Sequence, residues 1–406
     1  MGPLAGVRVL DLSRVLAGPW SGQILADMGA DVVKVERPGA GDDTRHWGPP
    51  YLADGAGQPT GEAAYYLATN RNKRSVTIDL DTPQGAGLVR DLAGRADILL
   101  ENFKAGGLAK YGLDYAALAR LNPRLVYCSI TGFGHSGPYR DRPGYDFMIQ
   151  GLGGLMSVTG EADGEPGGGP QKAGVALADV LTGLYATIAV LGALRHRDLT
   201  GEGQQVDLAL LDVQVACLAN QALNYLVSGE PPRRLGNAHP NIVPYQVFAA
   251  DDGHLIVAVG NDAQFRRLCA LLGQPEWGSA ERYATNAARV RHRDELVPRL
   301  EACFATRGTD AWLEALEQAG IPCGPINTLD RVFADPQVAA RGLRVDLPHP
   351  LGGTAPGVAS PLRFSATPVE YRAAPPLLGQ HTAEVLADWL GLDAAAIAEL
   401  EGLGVV

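Results

Sequence analysis

A strand, a helix and a second strand follow one another within the first 36 residues, and that order constrains the architecture more than anything else in the chain. VRVLDL (7–12) is β-branched and apolar, LAGPWSGQILADMGA (16–30) carries apolar residues at helical spacing, and DVVKVE (31–36) is again a short apolar run. Two apolar strands joined by one short helical crossover pair in parallel, in a sheet whose two faces are both covered. The alternation continues: SVTIDL (75–80), ADILLEN (96–102) and RLVYCSI (124–130) read as strands, separated by helical patterns around 83–94 and 113–121. The spacing predicts an α/β fold with a Rossmann-like parallel sheet. Ligands of such open sheets bind outside the carboxyl ends of the strands, so the loops ERPGAGD, ENFKAGG and TGFGHSG are expected to converge on one crevice.

A long helix is expected from about 179 to 197, followed by a turn, a short strand and another buried helix. From residue 225 the texture changes to turn residues and proline. A hairpin then spans 244–260 with Asp-Asp-Gly as its turn, and helical patterns follow at 263–272, 294–306 and 309–319. Two domains result: a large one of residues 1–224 with 326–406, ending in two short amphipathic helices across 375–406, and a smaller α+β domain of residues 225–325.

Several function classes are excluded by composition. With 34 Lys+Arg against 45 Asp+Glu the net charge is −11, the wrong sign for a nucleic-acid binder. The five cysteines, Cys128, Cys217, Cys269, Cys303 and Cys323, are scattered and never spaced C-x-x-C, so neither a disulfide framework nor a zinc site is expected. No histidine pair has metal-ligand spacing, and neither a Walker loop nor a G-x-S-x-G elbow occurs. The apolar stretch Ala176 to Leu194 raises the question of a membrane span, but Asp179 and Thr182 lie inside it and glycines and alanines thin its bulk. It is read as a buried helix of a soluble, cytoplasmic protein with no membrane partner.

An anionic ligand would need a local basic cluster, and three candidates stand out. NRNKRS (70–75) places Arg71, Lys73 and Arg74 before a strand, Arg37 follows the second strand, and Lys104 and Lys110 flank the loop after Phe103. Arginine offers bidentate donors to phosphate and lysine a point charge; solvated loop charges are the plainer alternative. Asp179 has two readings. At the head of a nearly all-apolar helix it suits an N-cap, and in the same place exposed helix N–H groups would keep a desolvated carboxylate ionised and nucleophilic. Residue statistics leave both open. GLGGL (151–155) and GEPGGGPQKAG (164–174) flank this helix; either would let backbone N–H groups approach a reacting carbonyl, or be a mobile surface loop.

Taken together, these segments resemble the family III CoA-transferases, the group that includes the formyl-CoA:oxalate and carnitine enzymes. The resemblance runs from PLAGVRVLDLSRVLAGPWSGQILADMGADVVKVERPGAGDDTR through NRNKRSVTIDL, ENFKAGGL and SITGFGHSGPYRDRPGYDFMIQGLGG, on through AGVALADVLTGLYATIAVLGALRHRDLTGEGQQVDLALLD, GNAHPNIVPYQVF and GIPCGPINTLDRVFADPQV. It implies that Asp179 is a nucleophile that passes CoA from an acyl-CoA to a small carboxylic acid through covalent aspartyl intermediates. It implies CoA contacts at Val15, Ala17, Arg37, Arg71, Lys73, Asn102, Phe103 and Lys110, and acyl-group contacts at Leu16 and Tyr145. CoA enters as a substrate, with no tightly bound cofactor and no metal, and the family's assembly is an interlocked-ring homodimer. The formyl-CoA enzyme has a glutamine where this chain has Leu16, and a glycine-only lid where this chain reads AVGNDAQF, so oxalate chemistry is not implied. GNAHPNIVPYQVF is similar to members acting on dicarboxylic acids such as succinate.

Two other functions compete with the transferase. A non-catalytic acyl-CoA-binding protein would keep the basic loops without needing Asp179. A 2-methylacyl-CoA racemase of the same fold would need a histidine beside the aspartate, where this chain has Tyr145; His135, ten residues earlier, would have to take over the proton shuttle.

Overall fold

The computed structural model describes residues 1–406. The chain divides into two compact units, Met1–Leu155 with Ala173–Ala222 and Gln337–Val406, and Met156–Lys172 with Leu223–Pro336. Residues 156–172, expected in the large domain, belong to the second unit. There Gly236 N donates to Gly160 O at 3.1 Å, and Arg234 donates to Glu161 O and is ion-paired with Asp163. Residues 326–336 also fall in the second unit.

Six parallel strands build the first unit. Their spatial order is Lys73–Thr77, Asp31–Glu36, Arg8–Asp11, Ile98–Glu101, Val126–Thr131 and Gln205–Ala209. Numbered along the chain this is 3-2-1-4-5-6, the doubly wound order whose switch point lies between the first and fourth strands. Val9 stands opposite Val32 on one side and Ile98 on the other. Side chains alternate between the faces, as the period of two requires. Leu10, Val33, Val76, Leu99 and Tyr127 are buried with the helices Pro83–Ala93 and Thr382–Leu390, while Val9, Val32, Ile98, Leu100 and Cys128 are buried with the helices Ala17–Asp27 and Leu177–Thr200.

Helix Leu177–Thr200 is long and apolar enough to cross a membrane, but one side of it is committed to protein. Ala178, Gly183, Ala186, Val190 and Ala193 are buried, and a Cβ at Gly183 would stand 2.6 Å from Ala17 O. Small residues therefore set the approach of this helix to Ala17–Asp27, where Ser21 Oγ and Thr187 Oγ1 meet at 3.0 Å. Gly201, at φ 83°, ends the helix by returning its N–H to Arg197 O.

In the second unit, Tyr245–Ala249 and His254–Ala258 form the expected hairpin, and Cys323–Pro325 adds a third antiparallel strand. Helices Asp262–Leu271, Arg293–Phe304 and Thr309–Gln318 close its core around Phe248, Leu255, Phe265 and Trp312. Two further hairpins of the first unit, Tyr51–Ala53 with Pro59–Ala63 and Arg344–Pro348 with Thr354–Val358, have no counterpart in the sequence reading.

Candidate active site

At the switch point, strand Arg8–Asp11 runs into a turn in which Val15, the residue after Ser13 and Arg14, has φ 71°. A β-branched residue pays heavily for this conformation, so its surroundings must hold it there. They do so from three sides. Val15 N–H donates to both carboxylate oxygens of Asp42 at 3.2 Å, Lys34 Nζ donates to Ser13 O at 2.7 Å, and Asn102 clasps Arg14 through paired bonds of 2.9 and 2.7 Å. Asp42 is itself buried against Lys34 at 2.8 Å. Burial opposes its charge, but the Lys34 ammonium and the Thr44 donors prevail and hold its pKa down to about 2.

This braced turn forms one wall of a cleft of about 420 Å³. Val15, Leu16, Ala17, Asn102, Phe103, Lys104, Tyr145 and Asp179 all line it, so eight of the residues singled out from the sequence come together here. A second hollow of about 240 Å³ shares Arg14, Asp43 and Phe103 with the cleft and is lined by Arg37 and Tyr111. Lys110, exposed beside Tyr111, lies 3.6 Å from Asp81, which lines the same hollow. Phe103, with the Arg14 guanidinium 5.8 Å from its ring, stands between the two spaces.

The three basic residues of NRNKRS are not in the cleft, and Arg74 is ion-paired with Asp31, Glu384 and Asp388. Lys73 is fully enclosed, donating to Asp11, Pro19 O and Asn70, and Arg71 is buried on Asp27 and Val358 O. The strand begins at Lys73, so only Arg71 precedes it and lies at the edge opposite the ligand crevice, whereas the Lys73 ammonium is turned inward onto Asp11 at the end of the first strand. Both charges are consumed by internal carboxylates, which corrects their expected place as CoA contacts.

Asp179 is half-buried in the first turn of helix Leu177–Thr200, but it is not the cap. Asp146, from the first turn of helix Asp146–Leu152, reaches over instead: its Oδ1 accepts from Ala178 N at 2.8 Å and Asp179 N at 3.3 Å, while Oδ2 takes Gln150 Nε2 at 2.8 Å. The carboxylate of Asp179 is thus left for chemistry. Helix N–H groups were expected to keep it readily ionised. With those groups already taken, burial first and then the charge of Asp146 raise its pKa from 3.8 to about 7. Such a carboxylate, once ionised, is more basic and more nucleophilic than an exposed aspartate.

Three features escaped the sequence. Asp146 was one; Tyr65, whose pKa is raised by burial and then by the charges of Asp179 and Asp146, is a second, and nothing local in the sequence marks it. The third is the pair Arg140 and Arg142, which line the cleft from the loop after strand Val126–Thr131. They lie three and five residues beyond the loop TGFGHSG. Arg142 lies over the Tyr139 ring at 4.0 Å. The glycines of the cleft also differ from those expected: it is lined by Gly107, Gly132 and Gly144, not by residues 151–155 or 164–174. Gly132 and Gly144 pass so closely that a Cβ on the first would lie 2.5 Å from the Cα of the second. That crossing seats Tyr145 and Asp146.

His135 does not reach this cleft. Its Nε2 is 2.7 Å from Ser129 Oγ, and its ring lines a separate hollow, so the proton shuttle required of a racemase has no second member beside Asp179.

The family model of the family III CoA-transferases matches residues 4–382. The chain is 57% identical to a succinate–glutarate CoA-transferase of Agrobacterium fabrum over 95% of both proteins, and 44% identical to the human succinyl-CoA:glutarate CoA-transferase over all of this chain and 90% of that one. The crystal structure of a CAIB/BAIF family protein from Brucella suis superposes with a TM-score of 0.83 at 52% identity, covering 96% of this chain and 99% of the other. With its doubly wound sheet, its cleft at the switch point and its place among these relatives, the chain belongs to the family III CoA-transferases and is a CoA-transferase.

Proposed function

We propose that this enzyme transfers CoA between succinyl-CoA and a five-carbon dicarboxylic acid of the glutarate type, with Asp179 as the nucleophile. The substrate pair is suggested by the activities of the Agrobacterium and human relatives. The observation that carries the role of Asp179 is a half-buried carboxylate of raised pKa, freed from capping by Asp146, on the wall of a cleft also lined by arginines.

In the first step an oxygen of Asp179 attacks the thioester carbonyl, the C–S bond breaks, and CoA leaves as the thiolate. The thiolate then attacks the aspartyl carbonyl of the resulting anhydride, releasing the donor acid and leaving an aspartyl thioester. The acceptor carboxylate attacks the aspartyl thioester, whose C–S bond breaks to give a second mixed anhydride and the thiolate, and the thiolate finally attacks the acceptor's acyl carbon, breaking the anhydride to give the new thioester and free Asp179. No proton is consumed, so the protein's task is to place groups and exclude water. Leu16 and Ala17, both buried, give the cleft an apolar floor. Phe103 and Asn102 would hold the pantetheine, and Arg37 and Lys110, beside the second hollow, would meet the nucleotide phosphates.

Incubation with succinyl-CoA followed by hydroxylamine should convert Asp179 to a hydroxamate, because an anhydride or thioester is electrophilic and a resting carboxylate is not. Recovery of unmodified Asp179 from an actively exchanging enzyme would overturn this role. The interlocked homodimer of the family is part of the same proposal. Leu184, Tyr185 and Ile188 on helix Leu177–Thr200 and Val215 are exposed apolar side chains that a second copy would cover. A monomer in light scattering at low concentration would count against it.

A further inference from the structure

On the other side of the turn that carries Lys104 and Gly107 lies a hollow of about 360 Å³ that the transfer chemistry leaves unused. Into it faces Glu101, the last residue of strand Ile98–Glu101, which is 4% exposed. Its Oε2 accepts the backbone N–H of Phe103 at 2.8 Å, and Ser129, its register partner on the neighbouring strand, lies beside the carboxylate and lowers its pKa. Ser129 Oγ in turn meets His135 Nε2 at 2.7 Å. A line of polar groups thus leads from the backbone of Phe103, on the wall of the cleft, to an imidazole lining the hollow.

The direction of bonding along this line depends on one proton. With Glu101 ionised, Phe103 N–H and the Ser129 hydroxyl both donate to it, and His135 Nε2–H donates to Ser129. With Glu101 protonated, its O–H donates to Ser129, which donates to an unprotonated His135 Nε2. Oε2 then holds Phe103 only as a neutral acceptor, a bond about half as strong. Burial pushes Glu101 from 4.5 up to about 7, with Ser129, Phe103 N–H and Tyr127 limiting the rise. The other titratable groups on the elements around it are Cys128 beside Tyr127, Asp114 and Tyr115 at the head of helix Tyr115–Leu121, Lys104 on the turn, Asp11 on the neighbouring strand, and Asp207, which accepts the His135 backbone N–H. Asp11 is neutralised by Lys73, and no cation pairs with Glu101.

We infer that Glu101 is a positioning residue for the thioester substrate: ionised, it braces Phe103 on the cleft wall, and protonated, it turns toward Ser129 and His135 and slackens that brace. The inference rests on the cleft being the CoA site. It is tested by CoA binding alone, in the Asp179→Asn protein, so that neither turnover nor the titration of Asp179 enters. CoA should bind about fivefold more weakly at pH 6 than at pH 8 beyond any change seen in Asp179→Asn/Glu101→Gln, where the brace is permanently neutral. Equal pH dependence in the two proteins overturns the inference. Should the double variant fail to fold, Ser129→Ala in the same background removes a donor to the ionised form and should move the midpoint of the binding profile to higher pH; an unmoved midpoint is equally fatal. Full exchange activity in Asp179→Asn would overturn the nucleophile assignment and leave the brace standing.

Discussion

Asp42 and Asp179 are both withdrawn from water near the carboxyl ends of the same sheet, yet burial leads them to opposite states. Asp42 has Lys34 at 2.8 Å and the N–H groups of Val15 and Thr44, and its pKa falls to about 2. Asp179 has no cation, its helix N–H groups go to Asp146, and its pKa rises to about 7. The first carboxylate is spent on holding a strained turn in place. The second remains uncompensated, and that makes it reactive. What separates a structural acid from a catalytic one here is the partner each is given, a property of three-dimensional neighbours and not of local sequence.

The comparison breaks most visibly at Asp179 itself. Asp179→Asn keeps shape and removes nucleophilicity, so exchange should fall by at least ~10⁴-fold, as loss of a covalent nucleophile does elsewhere. CoA binding at pH 8 should be retained. Steady-state rates with succinyl-CoA and glutarate, beside equilibrium CoA binding, check both halves; an active variant would return Asp179 to the same class as Asp42.

Lys34→Met attacks the other side. It strips the cation from Asp42 and leaves a buried charge unpaired, which costs about 3–5 kcal/mol. Because Asp42 holds Val15 at φ 71°, the turn should relax as well. Denaturant unfolding at pH 7 should show the loss, and unchanged stability would mean that the pair at 2.8 Å does not brace the turn.

The architecture was legible in the sequence because alternation and crossover length are local. The strands Asp31–Glu36 and Ile98–Glu101, the hairpin around Asp251-Asp252-Gly253 and the helix after Ala176 all fall where the apolar patterns put them, with ends shifted by a few residues. Asp179 was visible as a lone acid in an apolar helix, and the family resemblance then gave it a role. Two things were hidden for physical reasons. Asp146 caps a helix that begins 31 residues later in the chain, so no capping box marks it. Arg71 and Lys73 have the composition of a phosphate site, but composition does not show that Arg71, before its strand, stands at the edge opposite the crevice, or that Lys73, the first residue of the strand, is turned inward onto Asp11. The short hairpins near 51–63 and 344–358 are built from strands of three to five residues, so even where the sequence alternates, as in RVDLP, the run is too brief to announce them.

The two acids should also pull stability in opposite directions along the pH axis. For Asp42 the folded pKa lies below the ordinary 3.8, so its contribution is present above that value and is lost as pH falls toward 2. For Asp179 the folded pKa lies above 3.8, so the folded state holds its proton longer, and stability declines as pH rises from about 4 through 7. Asp179→Asn should therefore stabilise the protein at pH 8 by about 1–3 kcal/mol and have little effect near pH 4. Melting curves of the two proteins at these pH values decide it; equal curves at pH 8 would show that Asp179 is compensated after all.

A smaller effect separates the cations as the acids are separated. Arg142 lines the cleft, is exposed, and has only the Tyr139 ring beneath it, whereas Arg71 is buried on Asp27 at 2.6 Å. An exposed guanidinium that meets an anionic substrate through water-accessible contacts contributes modestly, so Arg142→Met should raise KM for succinyl-CoA roughly 3- to 10-fold, with thermal stability unchanged. Arg71→Met strands Asp27 in the interior, and its cost should appear as a lowered melting temperature with KM unchanged. Added salt sharpens the contrast: screening weakens the exposed contact and leaves the buried pair almost untouched, so raising ionic strength should bring wild-type KM toward that of Arg142→Met. If Arg71→Met instead raised KM and Arg142→Met did not, Arg71 would be part of the substrate site, and its opposite-edge placement would have to be abandoned.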